Sequence, residues 1–145
     1  MTERARSETT GTEERAARDL RPPLSIVDPR MEAESLLGEL HEPGRDRTSK
    51  TLLKAGPLRI VLTALEAGAE IEDRDPDETV AIQAVDGRAT VEIEDRGDLL
   101  ESGRVAALPP GAPWRVRAET ESILLLFVGR RTGSEGNVTR LQDDH

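Results

Sequence analysis

Residues 68–87 read GAEIEDRDPDETVAIQAVDG, and residues 103–114 read GRVAALPPGAPW. In the first stretch an acidic loop broken by Pro76 leads into the apolar run Val80–Val85, which Asp86-Gly87 closes. In the second, Gly103 precedes the run Val105–Leu108, and Pro109-Pro110-Gly111 separates that run from Trp114–Ala118. Short β-prone runs closed by glycine or proline turns indicate an all-β sandwich or barrel. The glycines allow the backbone angles that tight strand turns require.

The same pattern extends outward. Leu52-Leu53, Leu58–Leu65, Ala89–Ile93 and Ile123–Val128 are further strand candidates. Turn signals at Ala55-Gly56-Pro57, Ala67-Gly68, Arg96-Gly97 and Ser102-Gly103 punctuate them. Ala89, Val91 and Ile93 alternate with polar neighbours, so this strand has one wet face. Ile123–Val128 is apolar at every position and must be covered on both faces, by a second sheet or by a partner subunit.

Upstream, Asp28-Pro29 is a helix start, an N-cap carboxylate followed by proline at the first helical position. Met31, Leu36, Leu37 and Leu40 give an apolar stripe, and Gly44 ends the element, which predicts one short helix over 29–40. Leu24, Ile26 and Val27 are expected to dock on the body. Residues 1–23 and 132–145 are polar and charged and are expected to be disordered tails. The expected organisation is therefore a lead-in with the helix over 24–47 and a β-barrel over 48–131.

The chain has 145 residues and a formal charge of −9. The acidity is local: from Glu66 to Glu101 thirteen acidic side chains stand against three Arg, a net of −10. Such a surface repels nucleic acid and anionic membranes, and neither is an expected partner. No apolar run approaches the roughly 20 residues of a membrane helix. The N-terminal residues lack the apolar core of a secretory signal, so a cytoplasmic location is the expectation. Cysteine and tyrosine are absent, and His41 and His145 are the only histidines. Thiolate chemistry and a three-histidine site within one chain are thereby excluded.

Two spacings carry a family resemblance. Gly68, Arg74, Pro76, Val80 and Gly87 stand at separations of five, one, three and six intervening residues. Gly103 is followed after five residues by Pro109-Pro110-Gly111 and after two more by Trp114, and fifteen residues (88–102) separate the stretches. In length and glycine placement these resemble the two signature motifs of the cupin superfamily, over about residues 30–130. The resemblance implies a cupin-type jelly-roll β-barrel, or double-stranded β-helix, and a homodimer formed by strand exchange or sheet packing. It also subtracts function. The family's His-x-His and Glu positions hold Arg74, Pro76 and Val80 here, and the second motif's His position holds Trp114. None of these supplies an imidazole or carboxylate, and a cation at position 74 repels a metal. No metal and no other cofactor is expected. Metal-free sugar epimerases of this fold rely on His and Tyr, which this chain lacks at suitable places.

If that register holds, Arg74, Val80, Ile82 and Trp114 face the barrel interior. Arg offers paired donors to a carboxylate, and Trp offers a stacking face, so a small anionic or aromatic ligand is one expectation. The other is that Trp114 plugs the barrel while Arg74 turns outward or pairs with Asp73, Asp75, Asp77 or Glu78. Those four acids form either an oxygen-ligand site for Ca or Mg or a solvated loop, and they offer partners for Arg104, Arg115 and Arg117 of a neighbouring subunit. His41 is expected to stabilise the helix C-terminus, and Gln83 to face away from Val80. Three readings follow: a metal-free protein binding a small molecule or protein partner without catalysis, a metal-independent enzyme acting on a small organic acid or sugar derivative in the barrel pocket, and an acidic accessory protein acting through its tails or its acidic loop.

Overall fold

The structure is a computed structural model and describes residues 24–130. The expected tails at 1–23 and 132–145 lie outside the described residues. Helix α1 (Pro29–Leu40) leads into β1 (Arg47–Ala55), β2 (Leu58–Leu65), β3 (Glu70–Asp73), β4 (Thr79–Asp86) and β5 (Arg88–Ile93). β6 (Arg96–Glu101), β7 (Val105–Leu108), β8 (Trp114–Ala118) and β9 (Ser122–Gly129) complete the order. Two antiparallel sheets result, β1-β2-β9-β4-β7 and β3-β8-β5-β6. The jelly roll read from the sequence is therefore the architecture of the described chain.

Helix α1 occupies its predicted range. Asp28 caps it, with Oδ1 accepting from the amides of Arg30 at 3.0 Å and Met31 at 3.4 Å. Its buried stripe is Ala33, Leu36 and Leu40, whereas Met31 is 68% exposed. Leu24 and Ile26 are also exposed rather than docked, whereas Val27 is half-buried. No helix of the described chain is long and apolar enough to cross a membrane.

Strand β9 lies at the centre of the larger sheet, between β2 and β4. Leu124 and Val128 enter the core between the sheets. Ile123 and Leu125 point the other way and pack with Leu36, Leu40, Leu62 and Ala64. The outer cover is thus the chain's own helix, where the sequence suggested a second sheet or a partner.

Two strands escaped the sequence reading. β3 and β6 are the edges of the smaller sheet, short and charged. Charge on an edge strand discourages unwanted pairing, and it also hides the strand from a hydrophobic scan. Arg96-Gly97, read as a turn, lies inside β6; the turn is at Glu94-Asp95, with Glu94 at φ 56°.

Gly87 joins β4 to β5, where the chain passes from one sheet to the other. Its φ is +86°, and a Cβ there would collide with the Glu121 carbonyl oxygen and with Ser122. Gly56 also has positive φ (+58°), but open space surrounds it. Gly87→Ala is expected to destabilise the protein by about 2–4 kcal/mol, and Gly56→Ala by about 1 kcal/mol, in urea unfolding followed by circular dichroism. Equal losses would show that the close approach at Gly87 is unimportant.

Candidate functional site

Val80 and Ile82 alternate inward on β4 and are buried. Trp114 opens β8, paired with Asp73 of β3 and Ile93 of β5, and is only 8% exposed. All three belong to one apolar core with Leu108, Leu124 and Val128. Trp114 is therefore packed as a core side chain. Its buried Nε1–H has no acceptor among the described residues.

Arg74 is a correction to the interior placement. It follows the last residue of β3, where the chain has left the sheet, and its side chain is 85% exposed. Its Nε donates to Glu72 Oε2 at 3.1 Å, a partner not among the four acids considered. A guanidinium on a free loop keeps its hydration at no cost, whereas entering the apolar core would strip it. Arg74 and Trp114 still meet at the rim of a shallow cleft of about 180 Å³, bordered also by Asp73, Glu94, Pro113 and Arg115. Glu72 and Glu92 border it too. Four carboxylates against two guanidiniums leave this cleft net negative, which opposes the anionic ligand expected at Arg74.

The acidic loop is held by backbone contacts. Asp73 Oδ1 accepts the amide of Asp75 at 3.1 Å, and the amide of Gly111 donates to the carbonyl of the buried Pro76 at 2.9 Å. Among the described residues no three His, Asp or Glu side chains converge as metal ligands. The cupin metal positions do not fit a metal either: Arg74 points to solvent, and Pro76, Val80 and Trp114 are buried without a ligating atom. No reaction step can be routed through a metal there.

The arginines considered for a neighbouring subunit are engaged within the chain. Arg115 Nη2 donates to Glu92 Oε1 at 2.8 Å and Arg117 lies 3.9 Å from Glu70. The hydrogen bond and charge of Glu92, with Glu70 and Glu72 behind, raise the Arg115 pKa above its ordinary value. Arg104 Nη1 donates to the carbonyl of Leu99 at 3.2 Å. His41 is the C-cap of α1 and meets Glu121 Oε1 at 2.8 Å.

Gln83 faces outward, as its parity requires, into a groove of about 390 Å³ beside the start of α1. Polar groups there are engaged internally: Gln83 donates to the Gly103 carbonyl at 3.4 Å, and Arg30 and Ser102 both donate to the Val85 carbonyl. A slot of about 220 Å³ opens elsewhere, between β5–β6 and β7, lined by Val91, Ile93, Ala106 and Leu108 with Arg96 and Asp98. The sequence reading missed it. Its signal was the alternation Arg96, Asp98, Leu100, which becomes legible once β6 is known to be a strand.

No protein-family model matches the sequence, and no curated protein matches it. Solved structures do. A cupin superfamily protein from Desulfitobacterium hafniense superposes with TM-score 0.55 at 18% identity, over 66% of this chain and 89% of that one. The cupin domain of an XRE-family transcriptional regulator from Enterobacter cloacae gives 0.55 at 12%, over 61% and 100%. A salicylate 1,2-dioxygenase from Pseudaminobacter salicylatoxidans gives 0.62 at 21%, over 69% of this chain and 33% of the enzyme, so the chain spans about a third of the enzyme's length. At these identities the likeness is one of fold: the chain has the cupin fold.

Trp114→Ala is expected to cost about 3–5 kcal/mol, as for a large aromatic lost from a core. Arg74→Ala, at an exposed pair, is expected to stay within about 0.5 kcal/mol. Chemical denaturation of both variants checks the assignment of core and surface residue; a large loss for Arg74→Ala would reverse it.

Proposed function

We propose that this protein is a metal-free cupin-fold binding protein, taking up a small molecule without catalysing its conversion. One observation carries this: the positions that hold metal ligands in the cupin motifs are occupied by Arg74, Pro76, Val80 and Trp114; Pro76 is buried, and Val80 and Trp114 are packed into the core. Neither imidazole nor carboxylate stands there, so the inventory for metal-assisted chemistry is missing at that place. Solved structures of similar fold include an enzyme and a domain of a transcriptional regulator, and the fold alone does not separate those roles. The anion expected at Arg74 would meet four carboxylates, which favours a guest with an apolar body and no net negative charge.

The expected homodimer belongs to the same proposal. The outer face of the larger sheet presents Leu58, Ile60, Phe127, Ala81 and Val105; Ile60 and Phe127 pack partly against the cluster under α1, while Leu58 is 37% and Val105 59% exposed. This strip is uncharged on an acidic chain, and a neutral apolar face is self-complementary under a two-fold axis.

Two measurements test this. Elemental mass spectrometry of untagged protein, before and after incubation with Mn, Fe, Ni and Zn, is expected to find no stoichiometric metal; one ion per chain overturns the metal-free reading. Sedimentation at micromolar concentration is expected to give a dimer that Leu58→Glu with Val105→Glu converts to a folded monomer. A monomeric parent protein rules the dimer out.

A further inference from the structure

Strand register places two charged, exposed side chains on the inward parity of an edge strand. In the β5–β6 hairpin Ala89 pairs with Leu100, Val91 with Asp98 and Ile93 with Arg96. Ala89, Val91 and Leu100 are buried in the core between the sheets. Side chains on one strand share a face at every second residue. Asp98 and Arg96 therefore stand on the inner face of β6, in line with Leu100.

The opposite wall is β7. Ala106 pairs with Ile82 and Leu108 with Val80, so both turn toward the same interior. β6 and β7 are edge strands of different sheets and are not hydrogen-bonded to each other in a ladder. The barrel is open along this flank, and the slot of about 220 Å³ lies in the opening. Its floor is Val91, Ile93, Ala106 and Leu108; its two polar groups are Arg96 and Asp98. Among the described residues neither of these enters an ion pair. Asp98 Oδ1 accepts only the amide of its neighbour Leu99, at 3.0 Å, leaving its second oxygen without a partner there.

We infer that this slot binds a free aliphatic α-amino acid. The inference rests on the binding reading above but not on the cleft at Trp114. Arg96 offers paired donors for the carboxylate. Asp98, of opposite sign and two residues along the same face, accepts from the ammonium. The aliphatic side chain enters the apolar floor, where burial drives binding. Charge selects the class: with Asp98 in the slot and Glu94 and Asp95 in the adjoining turn, a simple carboxylate is repelled and a zwitterion is not. Size selects the member, since the slot is below the roughly 300 Å³ at which pockets for larger ligands begin. Inward charges also protect a sheet edge from pairing with another chain. That role requires charge of either sign, whereas binding requires both signs in their present order.

The test uses the full chain in methyl-resolved NMR, titrated with L-leucine, isovalerate and isoamylamine. Leucine is expected to shift the methyls of Val91, Ile93, Ala106 and Leu108 saturably, with half-saturation at roughly millimolar concentration or below. Isovalerate and isoamylamine, each keeping one charge, are expected to bind about tenfold or more weakly. Arg96→Gln should weaken leucine binding by a similar factor, and Ala106→Phe should block the slot while the remaining spectrum reports an intact fold. Absence of saturable shifts overturns the inference. So do isovalerate binding as tightly as leucine, or Arg96→Gln changing only the tendency to aggregate. Shifts centred on Trp114 instead would overturn the slot and leave the binding reading standing, whereas failure of the metal measurement would strike that reading directly.

Discussion

An all-apolar strand at the middle of a sheet has to be covered twice, and Ile123–Val128 imposes that condition on the rest of the chain. One cover is the second sheet, whose Val116 and Leu100 share a core with Leu124, Val128 and Ile82. The other is α1, whose Leu36 and Leu40 meet Ile123 and Leu125. The lead-in helix is thus a structural necessity of β9. Exposing that face would leave several large aliphatic groups in water, at roughly 25 cal/mol per Å² of apolar surface. The cover is incomplete: Phe127 packs against the cluster under α1, while Leu58 farther along the same face stays 37% exposed.

The barrel's interior follows from scarcity. The chain has one Trp and one Phe, and small aliphatics make up most of its core. Trp114 is the largest side chain in the core between the sheets. Open space remains at the flank between the edge strands β6 and β7, where Ala106 of β7 and Val91 of β5 line the same slot. Position in the fold, more than residue type, turns Arg96 and Asp98 from ordinary surface charges into the polar groups of a slot.

Most of the fold was legible in the sequence. The helix over 29–40 and the strands at 58–65, 105–108 and 114–118 stand where capping, alternation and turn glycines put them. What escaped were β3 and β6, because edge strands need little apolar surface and are held by their neighbours' hydrogen bonds more than by their own composition. The site was less legible. Val80, Ile82 and Trp114 face inward as alternation required, while Arg74 turned out, since a loop end sets its own direction independently of strand parity.

Taken alone, the sequence determined the two-sheet architecture, the cap and span of α1, and the loss of imidazole and carboxylate ligands at four motif positions. These are local properties: turn angles, period-two patterning and residue chemistry. Tertiary structure decided which element covers β9, that Trp114 is buried in the core between the sheets, and that Arg96 and Asp98 line an opening between two sheets. Each of these depends on which strands become neighbours, and that pairing joins residues far apart in the chain through burial that no local pattern encodes.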